Sequence, residues 1–308
     1  MAVERIDASV AGRWRLGDRV VNRMGFGSMR LTVRNDRERA VAVLRRAVEL
    51  GVDHIDTAAF YFSPGGILDG EAGETRYAAE LIRDGLRPYP EGLLIATKVG
   101  PDRLPDGSWG EAVTAGRLRH QVEDNLCRLG VEALDLVNLR IVRPVGPEEV
   151  AERFGALADM RAEGLIRHLG LSNVRWEHVE AARRIAPVVC VQNAFATDLR
   201  RHFDLLRKCG EEGIAFVPFF AIAGTAREDG PDSSKTPTEY DGENGPEWRI
   251  AAARGVTGHQ VRLAWTLQQG AHVLAIPGTG DVAHLEENIA AGALRLTADE
   301  MAAIDQRR

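Results

Sequence analysis

Three side chains in the first third of the sequence have the types and the spacing to move a proton. Asp56 follows the short apolar-containing run His54-Ile55, Tyr61 comes five residues later, and Lys98 sits inside Ile95-Ala96-Thr97-Lys98-Val99. A lysine inside an apolar run is costly to bury unless something pairs it. Asp56, one strand earlier and at the same strand end, is the natural partner. If the pair lies beside Tyr61, the ammonium favours the phenolate, and the phenol becomes a more competent proton donor near neutral pH. Such a group suits an acid that protonates a developing alkoxide. The plainer reading is a strand-end salt bridge with a bystander tyrosine.

These positions need strands that end together. Residues 52–57 alternate apolar with polar after a helical pattern closed by Gly51, which predicts Asp56 at the carboxyl end of a strand and Tyr61 in the loop beyond it. Strand-like runs recur at 24–29, 54–58, 93–99, 134–142, 168–172, 188–195, 215–221 and 273–276. Amphipathic stretches lie between them at 39–50, 75–86, 115–129, 147–163, 176–185, 202–212 and 258–269, with a last one at 282–293. Eight strand–helix units over roughly the ~250 residues such folds use predict a (β/α)8 barrel, a single domain spanning 1–308, after a hairpin-forming leader. A doubly wound sheet is the other architecture with this rhythm. Residues 225–247 are crowded with Gly, Pro, Asp, Ser and Glu and predict a mobile loop after the seventh strand, on the face where barrels keep their chemistry. The loop at 100–111 carries Trp109 between Gly107 and Gly110, a placement that lines a pocket or packs on its own helix.

Two further strand ends and one turn look suited to a ligand. Ser172-Asn173 closes the fifth strand and Gln192-Asn193 the sixth, and such hydroxyl and amide groups can hold a carboxamide through paired donors and acceptors. Ser172 also reads as a cap for the helix containing Trp176. Ile276-Pro277-Gly278-Thr279-Gly280 is a glycine-rich turn before the last amphipathic stretch, where barrels commonly bind phosphate. There is no G-x-G-x-x-G after the first strand and no P-loop pattern, so a dinucleotide would bind outside a Rossmann unit.

Composition narrows the partners. A net charge of −6 with lysines and arginines spread along the chain offers no footprint for nucleic acid or an anionic membrane. Residues 1–10 carry Glu4, Arg5 and Asp7 and lack the apolar core of a signal peptide, and no run is long enough to span a bilayer, so a cytoplasmic location is expected. Cys127, Cys190 and Cys209 suit neither a disulfide framework nor a metal site, and no metal is expected.

Taken together, these residues resemble the aldo-keto reductase family, in the family's order, from about Arg23 to Asn288, and most of all the branch containing pyridoxal reductases. The family's aspartate and the tyrosine five residues on look like Asp56 and Tyr61, its lysine like Lys98, and its nicotinamide-holding Ser-Asn and Gln like Ser172, Asn173 and Gln192. The resemblance implies a barrel that transfers hydride from NADPH, with NADH the alternative, to a small-molecule carbonyl. In it Tyr61 is the acid, Lys98 assists the loss of its proton and Asp56 orients Lys98. The adenine-contacting Glu-Asn of relatives looks like Glu287 and Asn288. Three departures stand out. Where relatives carry a histidine five residues after an aspartate, Asp135 is followed by Arg140, which can donate hydrogen bonds but cannot pass a proton. The tyrosine that stacks on nicotinamide looks replaced by Phe219, and the cationic 2′-phosphate clamp reads Gly278, Thr279 and His284. Relatives that lack the histidine and act as nucleotide-sensing binding partners supply the alternative: a regulatory or interaction protein of the same fold.

Overall fold

The computed structural model describes residues 6–104, 106–223 and 245–306. A 3-10 turn, Ala8–Ala11, leads to an antiparallel hairpin of β1 (Arg13–Leu16) and β2 (Arg19–Asn22), then to β3 (Phe26–Gly27), α1 (Arg37–Glu49) and β4 (His54–Asp56). A short hairpin of β5 (Phe62–Ser63) and β6 (Arg76–Tyr77) precedes α2 (Ala78–Leu86). After β7 (Leu94–Val99) comes another, β8 (Pro101–Arg103) with β9 (Trp109–Glu111), and then α3 (Ala115–Leu129). The alternation continues through β10 (Leu134–Arg140), α4 (Pro147–Ala162), β11 (Ile166–Ser172), α5 (Trp176–Arg183), β12 (Val188–Gln192), α6 (Phe203–Glu211) and β13 (Ala215–Phe216). Helices α7 (Pro246–Arg254), α8 (Gly258–Leu267), α9 (Val282–Ala290) and α10 (Ala298–Asp305) follow.

Seven strands form one parallel ladder in the order β13-β12-β11-β10-β7-β4-β3. Residues 273–275 close it: Val273 bridges Phe216 at one edge and Ala275 bridges Met24 at the other, both in parallel. The sheet is therefore a closed (β/α)8 barrel whose eighth stave is held by single bridges. The staves expected at 215–221 and 273–276 pair over fewer residues than their sequences suggest because Pro218 and Pro277 have no N–H to give the ladder. Phe219 recovers one bridge, to Ala194.

Alternate residues on each stave face opposite ways. Leu94, Ala96, Leu136, Cys190, Ala215, Val217 and Leu274 pack together inside, with Leu16 and Val21 of the entering hairpin among them. That hairpin plugs the barrel floor. The intervening residues, such as Ile55, Ile95, Val137, Leu169 and Val191, belong to the outer core with Val43 and Leu44 of α1, Val122 of α3 and Phe154 and Leu157 of α4. Full burial of such side chains contributes about 1.5–3 kcal/mol each, so two stacked apolar layers make a stiff frame for the strand ends.

Two expectations are corrected, and one helix lies beyond those expected. Within the loop expected at 100–111, Pro101–Arg103 and Trp109–Glu111 pair as the β8–β9 hairpin. The stretch at 225–247 lies outside the described residues up to 244, but its end is helical: Pro246 starts α7, behind Gly245 as N-cap, in the position where a proline's missing N–H costs nothing. Helix α10 went unread although Thr297 and Glu300 make a reciprocal capping box, a start signal visible in the sequence.

Candidate active site

Two rungs above the apolar interior, the inward residues turn polar. Lys98 follows Ala96, Asn138 and Arg140 follow Leu136, Gln192 follows Cys190, and Asp56 stands beside Ala96 in register. The ladder pairs Asn138 with Lys98, Arg140 with Ser172 and Ser172 with Gln192, so the carboxyl ends of five neighbouring staves place these groups in one cluster.

Lys98 and Asp56 are 2 % and 4 % exposed, and the Lys98 Nζ lies 2.6 Å from Asp56 Oδ2 and donates to the Thr57 carbonyl at 3.1 Å. The same Nζ is 4.7 Å from the Tyr61 ring centroid. Burial works against the ammonium, but the Asp56 carboxylate and the Tyr61 hydroxyl outweigh it and hold the Lys98 pKa above the ordinary lysine value. Lys98 thus stays charged at neutral pH, at the phenol of a residue that is itself only partly buried.

Asp56 has a second partner that nothing in the sequence announced: Gln192 Nε2 donates to its Oδ1 at 2.7 Å, from a residue 136 positions away. Both carboxylate oxygens are therefore in use. Gln192 Oε1, sealed from solvent, has no partner among the described residues, and neither do the two amide atoms of Asn138. Asn138 was missed, yet the rule that singled out Lys98 would have found it, since it too interrupts an apolar strand.

Arg140 is partly buried at the end of β10. Its Nη1 donates to Ser172 Oγ at 3.1 Å and its guanidinium carbon lies 4.8 Å from the Phe219 ring centroid. Burial pulls its pKa below the ordinary arginine value, opposed by the nearby Tyr61 and Asp56. Ser172 accepts from Arg140 and is not the cap of α5, whose N-cap is Arg175. Asn173 donates through Nδ2 to the Ile141 carbonyl at 2.8 Å, and its backbone is left-handed, φ 59°. Phe220, beside Phe219, is left-handed too, φ 66°. Non-glycine residues in that region carry strain, and both strained residues stand at this end of the barrel.

An aromatic wall flanks Tyr61. Phe60 makes edge contacts with Tyr61 at 5.2 Å and with Trp109 at 6.4 Å, and Phe62 lies 6.4 Å from Trp109, centroid to centroid. The hairpin that presents Trp109 is fastened by Glu111, 7 % exposed at its side chain, which accepts from the backbone N–H groups of Val142 at 2.9 Å and Arg143 at 3.0 Å and pairs with Arg143 and the buried Arg153. Glu111 thereby ties the Trp109 hairpin to the turn just after Arg140. Nothing in its spacing marks it.

On the far side, the 276–280 turn runs against the end of β3: a Cβ on Gly27 would meet the Ile276 carbonyl at 2.6 Å, and one on Gly278 would meet the Gly27 carbonyl at 2.6 Å. Only glycine permits that approach. Thr279 is buried, and its hydroxyl accepts from the Asp281 N–H at 3.1 Å. Asp281 caps α9 by accepting from the N–H groups of Ala283 and His284 and pairs with Arg39. His284 and Glu287 are exposed on α9 and Asn288 is buried. No cluster of three or more His, Cys, Asp or Glu side chains fit to hold a metal occurs among the described residues.

A sequence model of the Aldo/keto reductase family matches residues 23–308. The chain belongs to that family. Among its relatives is pyridoxine 4-dehydrogenase of Escherichia coli, 39 % identical over 300 residues that cover 94 % of this chain and 96 % of that one. An uncharacterized oxidoreductase of Schizosaccharomyces pombe is 37 % identical, with 99 % of this chain and 92 % of that one covered. Among solved structures, an aldo/keto reductase from Klebsiella pneumoniae, in complex with NADP and acetate, superposes with a TM-score of 0.76 at 26 % identity, covering 96 % of this chain and 94 % of that one. The family member described here is thus an oxidoreductase on a (β/α)8 barrel, and no helix among its described residues is long and apolar enough to cross a membrane.

Proposed function

We propose that this reductase, acting as one barrel unit over residues 1–308, converts an aldehyde or ketone of a small molecule to the alcohol at the expense of NADPH. The observation that carries the reading is the buried Lys98–Asp56 pair set against Tyr61 at the barrel mouth. When bound, NADPH supplies the hydride that a carbonyl carbon accepts. Tyr61 gives the carbonyl oxygen its proton, Lys98 keeps positive charge beside the phenol oxygen as that proton leaves, and Asp56 holds Lys98 in place. Arg140, reaching in from the next strand end, donates to the same oxygen as negative charge develops on it, in the manner of an oxyanion donor.

The residues present fit the cofactor. The sealed, unpartnered Gln192 Oε1 is an acceptor waiting for a donor such as a carboxamide N–H, and it lies in the cluster that also holds Ser172, Asn173 and Phe219. The bare backbone contact of Gly27 and Gly278 leaves the turn free of side chains there, with Thr279, His284, Glu287 and Asn288 arranged behind it for the adenosine end. Beside the turn stand the His284 imidazole and the Arg39 guanidinium, the latter already engaged by the Gly280 carbonyl and the Asp281 carboxylate where a 2′-phosphate would want free cations, so NADH is the second candidate. The name of the 39 % relative supports pyridoxine as the first alcohol to assay in reverse.

The test is single-turnover oxidation of bound NADPH against a panel of aldehydes and ketones. Tyr61→Phe is expected to slow the step about 100- to 10,000-fold, the worth of a placed general acid, with NADPH affinity unchanged. Retained turnover in that variant would sink the assignment of Tyr61. A wild-type protein that binds NADPH and turns over no carbonyl would favour the regulatory reading.

A further inference from the structure

Among the described residues, Arg140 is a cation with no acid in contact with it. Among those residues it forms no ion pair, its side chain's one hydrogen-bond partner is the neutral Ser172 hydroxyl, and its guanidinium carbon lies 4.8 Å from the Phe219 ring centroid. Only Nη1 donates, so the other in-plane N–H groups of the guanidinium remain, and these are the donors that match a carboxylate or other planar oxyanion. Asp56 acts on that charge only at a distance and makes no ion pair with it, because Lys98 holds one of its oxygens at 2.6 Å and Gln192 the other at 2.7 Å. Glu111, the acid that holds the turn after Arg140, is likewise committed to two backbone N–H groups and two other arginines. The cluster of Lys98, Arg140 and Asp56 therefore carries one positive charge in excess, at a mouth bordered by Phe60, Phe62 and Trp109. An uncompensated, half-buried charge is expensive to keep, which makes a counter-charge brought by the ligand the economical complement.

We propose that Arg140, besides donating to the carbonyl oxygen, anchors an ionised oxygen of the substrate itself, one that lies close to the carbonyl and in its plane, so that Tyr61 and one N–H of Arg140 meet the carbonyl oxygen while another N–H meets the anion. Two substrate types share this chemistry: a 2-oxo carboxylate and the phenolate of an ortho-hydroxy aryl aldehyde. The aromatic border accommodates an aryl group on either. The proposal rests on the carbonyl-reduction reading and goes beyond it by making Arg140 the residue that selects for charge.

The experiment compares matched pairs, phenylglyoxylate with its methyl ester and 2-hydroxybenzaldehyde with 2-methoxybenzaldehyde, by kcat/KM in the wild type, Arg140→Gln and Arg140→Lys. The wild type is expected to favour the anionic member in at least one pair, and the pair that does so tells carboxylate from phenolate. Arg140→Gln lowers both members, the anionic one by roughly ten- to a hundredfold more, the worth of a charge-assisted hydrogen bond. Arg140→Lys, which keeps charge without the planar fork, falls between, and thermal unfolding shows that each variant folds. Binding is read separately by calorimetry on the NADPH-loaded protein: salicylate binds more tightly than salicylamide in the wild type and equally in Arg140→Gln. Should that binding difference appear with no carbonyl turned over, the anion site stands and the reduction reading falls. Equal kcat/KM within both pairs in the wild type, or a preference that survives Arg140→Gln, overturns the assignment of Arg140.

Discussion

The arginines at the two ends of the barrel are treated differently. At the floor, Arg23 gives its guanidinium to four backbone carbonyls, those of Ala11, Leu267, Gly270 and Val273, and so ties the entering segment to α8 and the eighth stave. Arg19 beside it donates to the Leu93 carbonyl and pairs with Asp135, which also accepts from the Ile95 N–H. At the mouth, Arg140 has one hydroxyl and a ring. Floor cations are consumed by the fold, while the mouth keeps its polar groups under-committed, with Gln192 Oε1 and both Asn138 amide atoms unpartnered as well. The contrast follows from the barrel's construction: the same staves carry Leu94, Leu136 and Cys190 inside and then, two residues later or more, Lys98, Arg140 and Gln192. Stability is concentrated in the lower rungs, and the upper ones are free to be unsatisfied.

Breaking the mouth's one saturated pair should have the largest effect. Lys98→Met leaves the Asp56 carboxylate, 4 % exposed, without its counter-charge, and breaking a buried pair this way costs about 3–5 kcal/mol. Activity and stability should fall together, as read by turnover and chemical denaturation. The double variant Lys98→Met with Asp56→Leu should recover much of the stability and none of the turnover. A Lys98→Met protein as stable as the wild type would mean that the pair is not buried as a unit.

The floor offers the opposite outcome. Arg23→Met strands carbonyls that the guanidinium now satisfies, at about 1–3 kcal/mol for leaving such partners unpaired. The melting temperature should drop while kcat/KM stays at the wild-type level. A matching loss of kcat/KM would show that the hairpin plug and the mouth are coupled, and the two ends would no longer be separable.

How much of this was legible before the structure depends on the range of the signal. The alternating rhythm made the barrel readable, since each stave and helix announces itself within about ten residues. The Lys98–Asp56 contact was readable because an ammonium in an apolar run demands a partner at the same height. The Gln192–Asp56 bond was not, because an amide on the sixth stave gives no local hint of the aspartate it crosses the barrel to meet. Glu111 was hidden for a related reason: its partners are the N–H groups of Val142 and Arg143, which every residue possesses. The early end of the seventh and eighth staves was visible in Pro218 and Pro277, though apolar character suggested longer ladders.

The smallest expected effect belongs to an ion pair in the outer shell, where neither end of the barrel is involved. Glu300 accepts from Arg254 through both oxygens, at 2.8 and 2.6 Å, and from the Thr297 N–H at 2.7 Å, which fastens α10 to α7. The Arg254 guanidinium and the Thr297 N–H together hold its carboxyl well down, from the ordinary 4.5 to about 2. A folded-state pKa below the unfolded one means stability that is present above about pH 4.5 and is lost as the pH falls toward 2. The side chains are 35 % and 20 % exposed, so solvent screens the pair and its worth is about 0.2–1 kcal/mol, well under what the carboxyl's shift alone would suggest. Glu300→Gln retains a side chain able to close the capping box and removes only the charge. It should therefore melt slightly below the wild type at pH 7, converge with it as the pH approaches 2, and show unchanged turnover. A gap in melting temperature that persists undiminished at low pH would assign the role of Glu300 to the box rather than to the ion pair.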